Sequence, residues 1–337
     1  MQLVLRLDVA DLAATRFAIS PLSETTRAML LLANPGRAAV NRPWLHWALA
    51  ELDRRPLRLP RTWPLVVNGR PWYPEFLNPA PSIKAPAFDA ELTRVRATPA
   101  EAVRASLRRV FDGRRWPDSA TELFERPAES LAEIAAEFAE FHKRLVMPYW
   151  EQIRPVLEAD IAYRAALLAD GGARLLFSDL HPDLHWSEGT LTMDDTDEGP
   201  SRIEVMLGPD GVVLMPSVFN WPLASLSKVT SSQTSLLYPA RGAATVWEDG
   251  ACGVAAEPVE DLLGPARARL LATLRSPATT TALALRFGVT PGAVSQHLAV
   301  LHRGGLVDRQ RSGRKVLYQT SELGLALLEQ ALLRSVS

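Results

Sequence analysis

In the last third of the chain, Val294, Leu298 and Leu301 are spaced four and then three residues apart, the apolar stripe of one helix. Thr290 supplies an N-cap, Pro291 suits the first helical position, and Gly304-Gly305 ends the run. The pattern predicts a helix over residues 290–303. Just upstream, residues 280–287 read as a short helix with Leu283 and Ala284 turned to a core, and Gly288-Val289-Thr290 turns the chain. Downstream the period drops to two. Residues 306–320 read as a hairpin with Ser312-Gly313 as a two-residue turn, a register that sets Val307 opposite Tyr318 and Arg309 opposite Val316. Helices are expected on either side, over residues 265–274 and 321–334. The second is apolar nearly all round, through Leu323, Leu325, Leu327, Leu328, Leu332 and Leu333. An apolar helix of that kind needs two partners, which points to a dimer interface.

The rest of the chain is patterned differently. Leu3, Leu5 and Leu7 alternate as a short opening strand. Ser20-Pro21 opens a helix with Glu24 in its first turn, ending near Asn34-Pro35-Gly36. Eight prolines between Pro56 and Pro86 predict an irregular stretch. Residues 99–111 and 128–146 carry helical spacing, the latter through Leu131, Ile134, Ala135, Phe138, Phe141 and Leu145, and one or two helices follow to about Leu180. A small β unit comes next. It comprises a hairpin around Ser187-Glu188-Gly189, strands over 203–207 and 212–218 flanking Gly208-Pro209-Asp210-Gly211, and a strand over 235–238. Small and polar residues over 249–261 mark a boundary. The expected architecture is α+β: a mostly helical N-terminal domain with a small β unit over 1–255, and a C-terminal winged helix-turn-helix domain over 256–337.

Charge sharpens this division. The chain of 337 residues has a formal net charge of −1. Residues 262–337 nevertheless hold ten Lys and Arg against three Asp and Glu, leaving 27 basic and 35 acidic residues elsewhere. A basic module on an acidic body is the split expected where one part meets nucleic acid. The exposed face of helix 290–303 presents Gly292, Gln296, Ala299 and Arg303, with Ser295 at its flank. Glutamine can pair bidentately with adenine, and glycine lets the backbone come close. The hairpin brings Arg309, Arg311, Arg314 and Lys315 to one tip, cations suited to phosphate or to the minor groove. The candidate DNA contacts are therefore Thr290, Pro291, Gly292, Ser295, Gln296, His297, Arg303, Arg309, Arg311, Arg314 and Lys315. His297 lies off the stripe centre, which leaves it open to the core or to phosphate. Double-stranded DNA is the expected partner, and a homodimer the expected state.

The run VSQHLAVLHRGGLVDRQRSGRKVLYQTSELG, residues 294–324, resembles the recognition helix and wing of ArsR-type repressors, and the likeness extends over about residues 258–336. Pro216-Ser217-Val218-Phe219, Trp221-Pro222 and Tyr238-Pro239-Ala240-Arg241-Gly242 further resemble a group of actinobacterial-type regulators in which an uncharacterised N-terminal domain precedes such a module. The resemblance implies a transcriptional regulator, with repression the implied sign. Metal-sensing members carry a Cys-x-Cys pair on the first helix of the motif. Here that helix reads Thr280-Thr281-Ala282-Leu283-Ala284-Leu285-Arg286-Phe287, without a thiol. The terminal helix, the other recurring metal site, offers only Glu322 and Glu329. No metal and no cofactor are expected.

Other chemistry is thinly represented. Cys252 is the sole cysteine, which excludes an intrachain disulfide and fits a reducing cytoplasm. The N-terminus has Asp8 and no long apolar core, unlike a signal peptide, and no apolar run is long enough to span a membrane. His181 and His185 stand four apart, but Pro182 interrupts the helix that would pair them, and no general-base Glu accompanies them. The acidic run Asp194, Asp195, Asp197 and Glu198 lacks calcium-loop spacing and reads as solvated. No phosphate-binding glycine loop or nucleophile elbow occurs, so no catalytic residue is assigned. Trp44, Trp47, Trp63, Trp72, Trp186 and Trp221 suit either a ligand pocket for a small-molecule effector or ordinary packing. The contrasting reading is an enzyme or effector-modifying N-terminal domain joined to a winged helix that serves protein contact.

Overall fold

The computed structural model describes every residue except 1, 39, 71, 195–201, 206, 208–210, 228–232, 248–256, 275–277, 281–282, 285–289, 313–314 and 335–337. The chain forms two compact units, Met1–Val246 and Trp247–Ser337. The sequence boundary between 255 and 256 lies outside the described residues, as does Cys252.

The first unit opens with β1 (Gln2–Arg6), α1 (Val9–Ala14), β2 (Arg16–Phe17), α2 (Pro21–Ala33) and α3 (Arg42–Arg54). Among its described residues, the proline-rich stretch holds a short α4 (Trp63–Val66) and a 3-10 turn at Glu75–Leu77. Five helices follow: α5 (Phe88–Arg96), α6 (Ala100–Phe111), α7 (Asp118–Glu125), α8 (Pro127–Phe141) and α9 (Trp150–Ser178), the last broken at Gly172. The α8 stripe continues past Phe141 through a wider turn, His142–Val146, keeping Leu145 buried. Strands β3 (Leu184–Ser187), β4 (Thr190–Asp194), β5 (Arg202–Glu204), β6 (Val212–Ser217), β7 (Ser225–Leu226) and β8 (Thr234–Pro239) complete the unit.

These strands form two sheets, and each takes in a strand from the start of the chain. One has the order β3-β4-β1-β5, with β1 antiparallel to β4 (Leu3 opposite Met193, Leu5 opposite Leu191) and parallel to β5. The other has the order β2-β6-β8-β7, with β2, β6 and β8 parallel. Every residue of β6 is buried, as expected of a parallel strand covered on both faces. Val212 and Leu214 join a core shared by both sheets and by Leu176, Phe177 and Leu180; Val213 and Met215 turn to a smaller cluster with Ala18, Ala80 and Leu237. That alternation is the two-residue period of a strand.

The first half of α2 is buried although it is polar. Ser20 caps it by accepting the Ser23 N–H at 2.9 Å. Glu91 on α5 accepts the Ser20 hydroxyl at 2.7 Å and the Leu22 N–H at 2.9 Å. Glu24 accepts the Phe219 N–H at 3.3 Å, just beyond β6. The Thr25 hydroxyl pairs with His142 Nδ1 at 2.8 Å, and the imidazole stacks on Phe88. Burial pushes both carboxyls up to about 7 and the imidazole down to about 4.

Of the tryptophans singled out in the sequence, Trp44 is a core residue, and Trp47, Trp63, Trp72, Trp186 and Trp221 are half-buried. Trp44 is fully buried, donates its indole N–H to the Leu145 carbonyl at 2.8 Å and meets Phe219 edge-on. Trp186 stacks on Phe177, and Trp47 meets Tyr149 edge-on. The two histidines of the HPDLH segment are engaged separately. His181 accepts the Asp183 N–H on Nδ1 and sits 2.6 Å from the Pro222 carbonyl through Nε2, while His185 on β3 faces Asp194 at 3.3 Å. Asp194 ends β4, and the remaining acidic residues of that run lie outside the described residues. Among the described residues, no helix is long and apolar enough to cross a membrane.

Candidate nucleic-acid interface

The second unit comprises α10 (Glu257–Leu263), α11 (Pro265–Thr273), β9 (Ala278–Thr279), helical residues at Leu283 and Ala284, α12 (Pro291–Arg303), β10 (Val307–Ser312), β11 (Lys315–Thr320) and α13 (Glu322–Arg334). Its core gathers Leu271 from α11, Leu274 just after that helix, Leu283 and Ala284, the α12 stripe, Val307 and Leu328.

Helix α12 begins and ends as the sequence signals require. Thr290 is the N-cap, its hydroxyl accepting the Ala293 N–H at 3.3 Å, with Pro291 at the first helical position. At the other end, the Gly305 N–H reaches the His302 carbonyl and the Leu306 N–H reaches the Leu301 carbonyl, each at 3.0 Å. This pair of bonds needs a left-handed residue between them, and Gly305 supplies it with φ +69°. Val294, Leu298 and Leu301 are buried. Pro291, Gly292, Ser295, Gln296, Ala299 and Arg303 are exposed on the other side, and His297 is half-buried between the two faces. Val300, 39% exposed, stands one turn beyond Gln296 on the same face. The sequence reading passed over it because an apolar residue beside the stripe looks like part of the core.

The hairpin differs from its expected register. β10 and β11 pair Val307 with Thr320, Arg309 with Tyr318, Arg311 with Val316 and Ser312 with Lys315, so the connecting residues are 313 and 314 rather than 312 and 313. The cause sits at the other end of the ribbon. Thr320 donates its N–H to the Leu274 carbonyl at 2.8 Å and its hydroxyl to the Leu271 carbonyl at 2.7 Å, capping the end of α11. The Ser321 N–H reaches the Leu306 carbonyl at 3.0 Å. Those bonds fix where β11 ends against β10. Each partner moves by two residues, so every side chain keeps its face. β9 extends the sheet by pairing Thr279 with Leu317.

The hairpin is held to α12 by His302, whose Nδ1 lies 2.8 Å from the Val307 carbonyl. Ser321 caps α13 through the Gly324 N–H at 3.1 Å and donates its hydroxyl to the Gly305 carbonyl at 2.5 Å. Gly324 lets α13 close on this corner; a Cβ there would meet the Leu306 carbonyl and sit 2.7 Å from Thr320 Cγ2. On the outer surface, Arg309 is exposed, and the Arg303 guanidinium lies back along its own helix, donating to the Ala299 carbonyl at 3.3 Å. Arg311 is the next-to-last residue of β10 and Lys315 opens β11; Arg314 and the side chains of Arg311 and Lys315 lie outside the described residues.

Residues 262–310 match a family described as a helix-turn-helix domain. The second unit carries a helix-turn-helix domain. Such a domain implies DNA binding, with its second helix as the reading element. The match runs from the end of α10 into β10 and leaves residues 1–261 uncovered. No curated protein and no solved structure matches the chain.

Proposed function

We propose that the protein is a one-component transcriptional regulator of the ArsR-like kind. It binds an operator duplex as a homodimer and acts as a repressor. The observation that carries this reading is the two-sided build of α12. Its apolar stripe is wholly buried, while Gly292, Ser295, Gln296, Ala299 and Arg303 share a solvent face next to exposed Arg309. In this reading Gln296 pairs with a base edge and Gly292 admits close approach of the backbone. Val300 meets a thymine methyl, and Thr290, Pro291, Ser295 and His297 position the helix against the backbone. Arg303, Arg309, Arg311, Arg314 and Lys315 neutralise phosphates. Leu323, 59% exposed on α13, supports a second copy as partner. The reading gives the N-terminal unit the role of sensor or dimerisation body, not that of a catalyst.

The test is sedimentation of the full chain with duplex DNA from upstream of its own coding sequence. A regulator of this kind forms a complex of two chains per duplex that survives excess unrelated DNA. Equal affinity for both duplexes, or one chain per duplex, overturns the corresponding part of the proposal. No complex at all favours a winged helix used for protein contact.

A further inference from the structure

Helix α6 and the loop after it concentrate guanidinium groups: Arg104, Arg108, Arg109, Arg114 and Arg115. They divide into two sets. Arg104 donates to the Glu101 carboxylate at 2.8 Å and to the Phe124 carbonyl at 3.1 Å. Arg109 makes two bonds to Glu75, both at 2.9 Å. Arg108, Arg114 and Arg115 make no ion pair among the described residues, and all three are exposed. These three, and not the engaged pair, line an open cleft of about 530 Å³.

Two aromatic side chains, Phe111 and Trp116, are among those that line the cleft. Phe111 is buried at the end of α6 and Trp116 is half-buried, with ring centroids 6.1 Å apart. Trp116 is steadied edge-on by Phe124 at 5.4 Å, and the Arg108 guanidinium lies over that Phe124 ring at 4.9 Å. Stacking restricts the guanidinium plane, which lowers the cost of ordering it on a ligand. One carboxylate, Asp112, also lines the cleft, so its local charge stays positive. The backbone carbonyl of Asp112 is held by Arg70 at 3.0 Å.

Helix polarity accounts for basic residues in the last turn of α6. It does not account for two more arginines beyond the helix end, gathered with the remaining unpaired one beside Phe111 and Trp116. Planar guanidinium forks match carboxylate and phosphate oxygens, and an indole face matches a flat ring.

We propose that this cleft binds a small aromatic acid, a flat ring bearing a carboxylate or phosphate group. The ring lies against Trp116, and Arg114 and Arg115 hold the anionic group, with Arg108 as the stacked third donor. This assigns a ligand site to the N-terminal unit and does not rest on the DNA-binding reading.

Calorimetry on the full chain tests it, with naphthoate and naphthyl phosphate as anionic probes and naphthamide as the neutral one. At least one anion should bind roughly tenfold or more tightly than the amide. Substituting Arg114→Gln and Arg115→Gln together should abolish that preference while leaving the melting temperature unchanged, since both side chains are exposed. Equal binding of anion and amide overturns the proposal, as does full anion affinity in the double variant. Absence of heat with every probe, confirmed by equilibrium dialysis, overturns it as well. Displacement of the probe by a short duplex, lost in the same variant, would make the patch a nucleic-acid contact and overturn the small-ligand reading.

Discussion

The Glu24 carboxylate, one turn into α2, accepts the N–H of Val218 at 3.0 Å across 194 residues of sequence. Together with Glu91 it places two carboxyls that titrate near neutrality inside the N-terminal unit. Their ordinary value is 4.5 and burial raises both to about 7, so the folded state holds more protons than the unfolded state between those values. Their contribution to stability is full below 4.5 and is lost as pH rises through 7. His142 has the opposite sign. Its pKa falls from 6.5 to about 4, so its contribution grows as pH rises through that window. Glu91→Gln keeps an acceptor for the Leu22 N–H and can donate to the Ser20 hydroxyl oxygen. The variant should gain on wild type by about 3 kcal/mol between about pH 5 and about pH 8. Urea midpoints read by tryptophan fluorescence across that range check this; parallel pH profiles would contradict it.

Gln296→Ala should cost about 1–3 kcal/mol on the operator and little on unrelated duplex, because a base contact carries sequence information and a phosphate contact does not. Fluorescence anisotropy with both duplexes decides. Equal losses on the two would make Gln296 a positioning residue.

Replacing Arg311 and Arg314 with Ala should weaken binding to every duplex alike. It should also flatten the log–log salt dependence by roughly one unit per phosphate contact removed. Titrations at several salt concentrations measure the slope, and an unchanged slope takes the wing out of the interface.

Gly324→Ala should destabilise the C-terminal unit by about 1–3 kcal/mol or more, since the new methyl meets backbone at Leu306 and the Thr320 side chain at once. Gly292→Ala, whose Cβ would have only the Thr290 hydroxyl at 4.0 Å, should leave stability nearly unchanged. Hydrogen exchange of the amides of α12 and α13 distinguishes the two. Equal protection in both variants would mean that the corner at Gly324 can open without cost.

The C-terminal unit was legible because its signals are local. Thr290, Pro291 and Gly305 act within one helix, and Val294, Leu298 and Leu301 declare its buried side at helical spacing. The hairpin turn was misplaced by one residue because its register is set by Thr320 bonding to α11, a contact about fifty residues back in the chain that turn chemistry cannot show. The N-terminal unit was harder for the same reason on a larger scale. The two-residue β2 has no period of its own, and β6 shows no alternation because both its faces are covered. Glu24 reads in sequence as a first-turn acid that favours the helix dipole, yet it is a buried clamp on the chain beyond β6. The arginine-lined cleft went unnoticed because only the structure shows which arginines have partners.

Strand β1 lies between β4 and β5, so its inner pairing waits for residues made long afterwards. Gln2 bonds to Asp194, 192 residues downstream. At ~5–20 residues per second, a ribosome needs roughly 10–40 s to deliver that partner. For that interval Leu3 and Leu5 are an apolar segment with no sheet to join, a natural landing place for a chaperone. The C-terminal unit, whose strands pair within a few dozen residues, faces no such wait. Its strands can therefore pair directly as the unit emerges.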